Sequence, residues 1–371
     1  MSFLKWVLVI TALAALGYNL WSASGRNYGK HNYTPYPIDQ IITEGFDAGK
    51  GNIIGFQPYF TAWDYCDQQH FVEALDPYFQ KASAAGLCRP NTIIVLPEYT
   101  GSWLVAANEK ATVYQADSMR QAVSIIVNSR IFSFFLKLFS AKPQDKIQYA
   151  LFSLKARSMA KIYATVFSSL AKKYKVTIVA GSIILPGPSV NAKGKLSIKQ
   201  GQLYNASFIF GPEGTIIAPP IKKMVLTGNE KNFLTPAGNN EHHIVRTPSG
   251  NLAVLLSADS LNAAYYHQRK EKVSFVAFPS IEGLDSLQMS MKTFSPANNA
   301  DTSTQTQKAT WPHAGLNNMK AAGIHRGIHV FFSGKIWEMQ PKGNIVTLQN
   351  DSLHVYQPDA HKGRIINLWL D

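Results

Sequence analysis

The chain has 371 residues, of which 46% are hydrophobic and 16% charged, a globular composition that excludes a disordered chain. Its net charge is +13, and the excess is local: Lys110 to Lys175 holds twelve Lys/Arg against two Asp. Such a stretch attracts anions by charge. No zinc-finger spacing or RNA-recognition signature accompanies it, so an anionic membrane surface is the expected partner and nucleic acid is not, with solvated helix faces as the plain alternative.

In chain order, the first element is an address. Met1 to Lys5 is a short basic region, Trp6 to Trp21 is apolar without a charge, and Ser22-Ala23-Ser24 supplies small residues suited to cleavage. Residues 1–24 therefore read as a secretory signal peptide, cleaved or kept as a membrane anchor, and the protein as exported to the periplasm or beyond. The uncharged run is somewhat short for a full span. Residues 25–50, rich in Gly, Asn, Tyr and Pro, read as a linker, and residues 51–371 as the domain. Export would tolerate a disulfide between Cys66 and Cys88. The helix expected between them would hold them apart unless Pro77 breaks it.

In the body, Asn52 to Phe56 reads as a strand, Phe71 to Ala85 as a helix with Phe71, Leu75, Phe79 and Ala82 on one face, and Thr92 to Leu96 as a buried strand. Val123 to Phe139 is apolar nearly all round, with Arg130 and Lys137 embedded, and suits a membrane interface or an oligomer contact. Met159 to Tyr174 reads as an amphipathic helix and Val176 to Gly181 as a strand. Leu203 to Phe210 and Thr215 to Ala218 flank a Gly211–Gly214 turn and read as a hairpin. Leu252 to Leu256, Val273 to Phe278 and Ile328 to Ser333 are further strands, the last preceded by a helix end at Lys320 to Gly327. Leu287 to Pro312 reads as a long loop. Alternating strands and helices predict an α/β fold with a mixed sheet.

Three polar signals stand at strand ends, where catalytic groups of α/β proteins converge. Glu98 follows Leu96-Pro97; Lys223 follows Ile221-Lys222; Ser257-Ala258-Asp259 follows Leu252 to Leu256. Leu96-Pro97-Glu98-Tyr99, Leu203-Tyr204-Asn205, Gly211-Pro212-Glu213-Gly214, Lys223-Met224-Val225-Leu226, Glu230, Ser257-Ala258-Asp259 and Phe278-Pro279-Ser280 occur in this order. The ordered set resembles the motifs of the carbon–nitrogen hydrolase, or nitrilase, superfamily, over roughly residues 51 to 371, with Ser257 in place of the family's cysteine.

The resemblance implies a four-layer αββα sandwich and a catalytic set of Glu98, Lys223 and Ser257. Amide hydrolysis needs a nucleophile, a base for its proton, and a cation for the oxyanion. Ser257, Glu98 and Lys223 fit those roles in turn. Glu230 would orient the lysine and position substrate, and Tyr99 and Trp103 would line the pocket. Serine needs more help from its base than cysteine does. No His is adjacent in sequence, although His267, His242 or His243 could approach in space. Asp259 reads as a structural residue of the turn, Lys222 as a solvated neighbour, and adjacent His242-His243 as unsuited to a shared metal.

Three functions follow as expectations: an amidase acting on a small non-peptide amide, a catalytically inactive binding protein of the same fold, and a membrane-linked acyltransferase. The resemblance also implies a homodimer. No nucleotide or metal motif is present, so no cofactor is expected.

Overall fold

The computed structural model describes residues 2–26, 35–238, 244–268, 272–282, 311–357 and 361–370. Of the loop expected at Leu287 to Pro312, residues 287–310 lie outside these residues, as does the pair His242-His243, while Trp311 and Pro312 open a helix instead. Among the described residues the α-helices are α1 (Ser2–Ala23), α2 (Gln68–Ala84), α3 (Ala111–Tyr114), α4 (Met119–Ser129), α5 (Ile131–Phe139), α6 (Lys146–Tyr174), α7 (Ala263–His267) and α8 (Trp311–Ala321).

Two six-stranded sheets stack face to face among the described residues. The first runs in the order Ile42–Glu44, Arg364–Trp369, Asn52–Gln57, Thr92–Val95, Thr177–Val179, Ile209–Phe210. The second runs Val245–Thr247, Gly250–Val254, Phe275–Ser280, Arg326–Phe331, Ile345–Gln349, Ser352–Tyr356. Each mixes parallel and antiparallel pairs.

Period-two alternation makes the layers. Ile53, Ile93 and Val95 point between the sheets, where they meet Val254, Phe275 and Ala277. Their neighbours Ile54, Ile94 and Leu96 face outward and are covered by α2 and α6 through Phe71, Phe79 and Phe167. On the far side, Ala253, Val276 and Phe278 are covered by Tyr266 of α7 and by Leu316 and Met319 of α8. The result is helix, sheet, sheet, helix, the four layers expected. Strands buried on both faces read as continuous apolar runs, which is why Thr92 to Leu96 was legible.

Several expectations are corrected. Leu203 to Phe210 is not one arm of a hairpin. It breaks at Phe208: Leu203–Ser207 pairs with Ile183–Pro186 and Ile221–Lys222 in a separate three-stranded sheet, while Ile209–Phe210 joins the first large sheet. The hairpin survives at its turn end, where Phe210 bridges Ile216, Gly211 N donates to Thr215 O at 2.8 Å and Ile217 N donates to Ile209 O at 3.0 Å. Val123 to Phe139 is two amphipathic helices, α4 and α5, bent by 100° at Arg130. The segment read as a linker contributes Ile42–Glu44, which pairs in parallel with Arg364–Trp369. The cysteines, in contrast, follow the expectation: α2 runs through Pro77 unbroken, and Cys66 and Cys88 are free thiols.

α1 is longer than its uncharged run. It takes in Lys5, and Phe3–Ala23 forms 21 helical residues of mean hydropathy 1.6 with none of its most apolar stretch buried. It is therefore not a core helix, and at 1.5 Å per residue it is about 32 Å long, enough for the hydrocarbon of a bilayer. Its last turns are tied to the body. Tyr18 Oη donates to Asn128 O at 3.1 Å and accepts from Ile131 N at 3.0 Å, and Ser22 Oγ donates to Ser129 O at 2.6 Å. Lys110 Nζ donates to the carbonyls of Trp21 and Ser24.

Below this junction lies the buried carboxylate of Glu109. It meets Arg26 and Arg130, each at 2.6 Å, and Lys155 of α6. Removing the carboxylate leaves three cations without it. Glu109→Ala is expected to lower stability by about 3 kcal/mol or more, read as a fall in the urea midpoint at unchanged slope.

Candidate active site

Glu98 sits just beyond the strand Thr92–Val95, on a turn begun by Pro97. Tyr99 follows with φ +63°, a left-handed conformation for a bulky residue. The turn closes on Thr100 Oγ1, which donates to Pro97 O at 2.7 Å, and on Ser182 Oγ, which accepts from Tyr99 N at 2.8 Å. Gly181 makes this possible: a Cβ there would lie 2.1 Å from Pro97 O. Lys223 follows the short strand Ile221–Lys222 and donates its own N–H to Asn205 O at 2.8 Å. Glu230 lies on a 3-10 turn, Gly228–Asn232, where it doubles as part of a capping box: Thr227 N and Thr227 Oγ1 donate to Glu230 Oε2 at 2.9 and 3.2 Å.

These residues converge. Lys223 Nζ lies 2.9 Å from Glu98 Oε1, and 2.8 and 3.0 Å from the two oxygens of Glu230. Asn205 Nδ2 donates to Glu98 Oε1 at 2.7 Å and reaches Glu230 Oε1 at 3.4 Å. Ser257 Oγ donates to the other oxygen of Glu98 and accepts from Ile281 N at 3.3 Å. Ser257 itself has φ +45°, at the point where the strand Gly250–Val254 gives way to a 3-10 turn. Non-glycine residues hold such a backbone at a cost, and functional sites are where it is tolerated. Glu98, Asn205, Lys223, Glu230 and Ser257 are all buried.

Two buried carboxylates around one ammonium cannot behave alike. Burial raises the Glu98 carboxyl, against the pull of Lys223, and the charge of Glu230 raises it further. Burial also opposes ionisation of Glu230, but Lys223, the Thr227 amide and Tyr99 outweigh it and hold its carboxyl below the usual range. Lys223 is pushed up by both carboxylates in spite of its burial. The cluster therefore holds a firm ion pair, Lys223 with Glu230, and a carboxylate of raised pKa, Glu98, in contact with a hydroxyl. That separation of pKa values assigns different work to the two acids.

Of the residues expected from sequence, Glu98, Lys223, Ser257 and Glu230 lie in this cluster. Tyr99 lines a cavity wall, the place expected of it, and its hydroxyl also donates to Glu230 Oε1 and so holds the acid. Trp103 lines an apolar cavity whose wall also includes Tyr99, Thr227 and Glu230, Val123 of α4 and Leu151 of α6. Asn205, the third residue of Leu203-Tyr204-Asn205, joins the cluster as well, its buried amide finding partners in the two acids. His267 is exposed, and the hydroxyl of Ser257 is partnered by Glu98. Lys222 is not merely solvated; its ammonium stands 4.5 Å over the ring of Tyr204. One group among the described residues could hold a metal, Cys66, Asp67 and His70, but Asp67 Oδ1 already caps α2 and accepts from His70.

Asp259 ties two parts of the site together. Its Oδ1 accepts from Met224 N at 3.0 Å and Val225 N at 2.7 Å, so the turn after Ser257 grips the peptide after Lys223. Asp259→Ala leaves those amides without their acceptor, and is expected to cost about 3 kcal/mol; Asp259→Asn, which keeps one acceptor oxygen, should recover part of it in the same thermal melt.

Neither a family model nor a curated protein matches the sequence. Solved structures do. A cysteine-to-serine mutant of the Nesterenkonia AN1 amidase from the nitrilase superfamily superposes with a TM-score of 0.52 at 14% identity, covering 88% of this chain and 94% of that one. A carbon–nitrogen hydrolase from Helicobacter pylori gives 0.53 at 14% identity over 86% and 88% of the two chains. Saccharomyces cerevisiae Nit3, of branch 10 of the nitrilase superfamily, gives 0.50 at 14% over 85% and 89%. The fold is thus that of the nitrilase superfamily.

Proposed function

We propose that the chain is a carbon–nitrogen hydrolase of amidase type in which Ser257 replaces cysteine as the nucleophile and the substrate is a small non-peptide amide with an apolar acyl part. The observation that carries this reading is the hydroxyl of Ser257 bonded to Glu98, an acid raised above its ordinary range and shared with Lys223. Glu98 takes the proton of Ser257 as Oγ attacks the carbonyl carbon. The oxyanion then forms beside Lys223, whose bond to Glu98 weakens as that acid is neutralised. The proton passes to the leaving nitrogen, the C–N bond breaks, and an acyl ester remains on Ser257. Water, deprotonated by the same Glu98, releases the acid. Each step uses groups of the chain and water. The apolar cavity beside Glu230 and Tyr99 supports the choice of an apolar acyl group.

The experiment is intact mass spectrometry after a serine-directed covalent probe. One adduct per chain, absent from Ser257→Ala, supports the reading. No adduct on folded protein overturns it in favour of the second reading, a binding protein of this fold. The specific ground for that second reading is that serine, unlike cysteine, has almost no ionised fraction near neutral pH. Ser257→Cys would then be the change that creates turnover. A third reading, transfer of the acyl group to an amine, differs only in what attacks the ester, and product analysis with added amine separates it.

We further infer that α1 is a retained anchor. Two of the three residues suited to cleavage are held by the body, Ser22 through its bond to Ser129 O and Ser24 through Lys110. The expected outcome is an intact N-terminus on protein extracted from membranes; a mature chain beginning after Ser24 would refute it.

A further inference from the structure

α5 carries two apolar faces. Phe134 is buried and Leu138 packs on the core. The opposite stripe, Phe132, Phe135, Leu136 and Phe139, is 69%, 44%, 74% and 85% exposed. The spacing i, i+3, i+4, i+7 makes it one continuous strip along the helix, and exposed apolar strips of this kind mark a binding surface. It is continuous with α1: the ring of Tyr18 stands edge-on to Phe132 with centroids 5.2 Å apart, and Tyr18 Oη bonds on both sides of the α4–α5 break.

We propose that α5 is an interfacial helix, laid in the near leaflet of an anionic bilayer beside α1, so that the two helices together form one membrane-docking face. Three features select the bilayer as occupant. First, α1 is an exposed apolar helix of spanning length whose own burial calls for hydrocarbon, and the strip on α5 adjoins it. Second, the junction is cationic. Arg26, Arg130 and Lys155 surround the single carboxylate of Glu109, Lys110 stands at the end of α1, and Lys137 lies on α5. A surplus of positive charge at the end of an anchor lies where lipid phosphates would be. Third, the same charge disfavours a two-fold dimer through this face, because an isologous contact would bring the basic junction close to its own copy. An interfacial helix wants an apolar strip with basic residues beside it, which is the pattern of α5.

The test uses the full chain in vesicles of equal parts phosphatidylcholine and phosphatidylglycerol. Cys66 and Cys88 are replaced by serine, and a spin label is attached through Phe132→Cys, Leu136→Cys or Phe139→Cys in turn. Far-UV circular dichroism checks that each variant is folded. Labels on the strip are expected to collide several-fold more often with dissolved oxygen than with a water-soluble nickel chelate, and this preference should weaken in vesicles of phosphatidylcholine alone, while α1 keeps the chain attached in both. Labels that meet the nickel chelate freely on vesicle-bound chain would overturn the proposal. So would labels shielded from both colliders and broadened by a second label, because that result means a second copy covers the strip. None of these readouts depends on whether Ser257 turns over substrate.

Discussion

Replacing Glu98 by glutamine is expected to cut kcat/KM by about 10³-fold while the protein stays folded. The fold survives because Lys223 keeps its second partner, Glu230, at 2.8 Å. The chemistry does not, because Ser257 loses the acceptor for its proton. The wild-type pH profile carries the complementary signature. Glu98 must be ionised to act as a base, and burial raises its carboxyl. Activity should therefore fall away on the acid side at a pH above the usual carboxylate range, and Glu98→Gln should erase that limb. A wild-type limb at the pH of an ordinary carboxylate would show that some other group supplies the base.

Lys223→Met should do more damage, and of two kinds. Turnover falls by about 10²–10³-fold through loss of the cation beside the oxyanion. Stability falls by about 3–5 kcal/mol, because Glu98 and Glu230 are left as neighbouring buried carboxylates with no ammonium between them. The pH dependence of stability should also change sign. In the wild type Glu230 is held below its unfolded pKa, so the stability it lends is present above the unfolded value and is lost as pH falls through the folded one. In the variant both carboxyls are raised by burial and by each other, so stability is greatest when they are protonated and declines as pH rises through their folded values. Urea midpoints across the acid-to-neutral range read this directly. A variant that loses midpoint on acidification, as the wild type does at Glu230, would contradict the arrangement.

Much of the candidate cluster could be seen in the sequence because charges are conspicuous at the ends of apolar runs. Glu98 after Leu96-Pro97 and Lys223 after Ile221 could not be buried without partners, and their partners turned out to be each other. Asn205 was less visible, since a neutral amide in a strand carries no such demand on its face. The same blindness hid the strand Arg364–Trp369, which occupies the inside of the first sheet. Asn367 reads as punctuation between apolar residues, yet its side chain accepts from Asn52 Nδ2 at 2.6 Å within the core. The long apolar segment after Val123 was conspicuous, but its break was not. Asn128-Ser129 before Arg130 is a weak stop signal, and the turn there goes with a tertiary ion pair to Glu109 that the sequence does not display. The merged hairpin at Leu203 to Phe210 failed for a related reason: one apolar run can serve two sheets when a single residue redirects it.

The carboxylate of Glu109 has a mechanical meaning. It is clasped by Arg26 just past α1, by Arg130 at the elbow of α4 and α5, and by Lys155 in the middle of α6. A hub of that kind leaves little play between α1 and the body. Helices retained in a bilayer tilt when its thickness changes. Tilt of α1 would be passed as torque through the hub to α4 and α6, the two helices that supply Val123 and Leu151 to the cavity wall. On the proposed reading of α1 as an anchor and of the cluster as an amidase site, the thickness of the lipid becomes a variable of substrate fit, and a series of vesicles differing only in acyl length is where its effect would be felt.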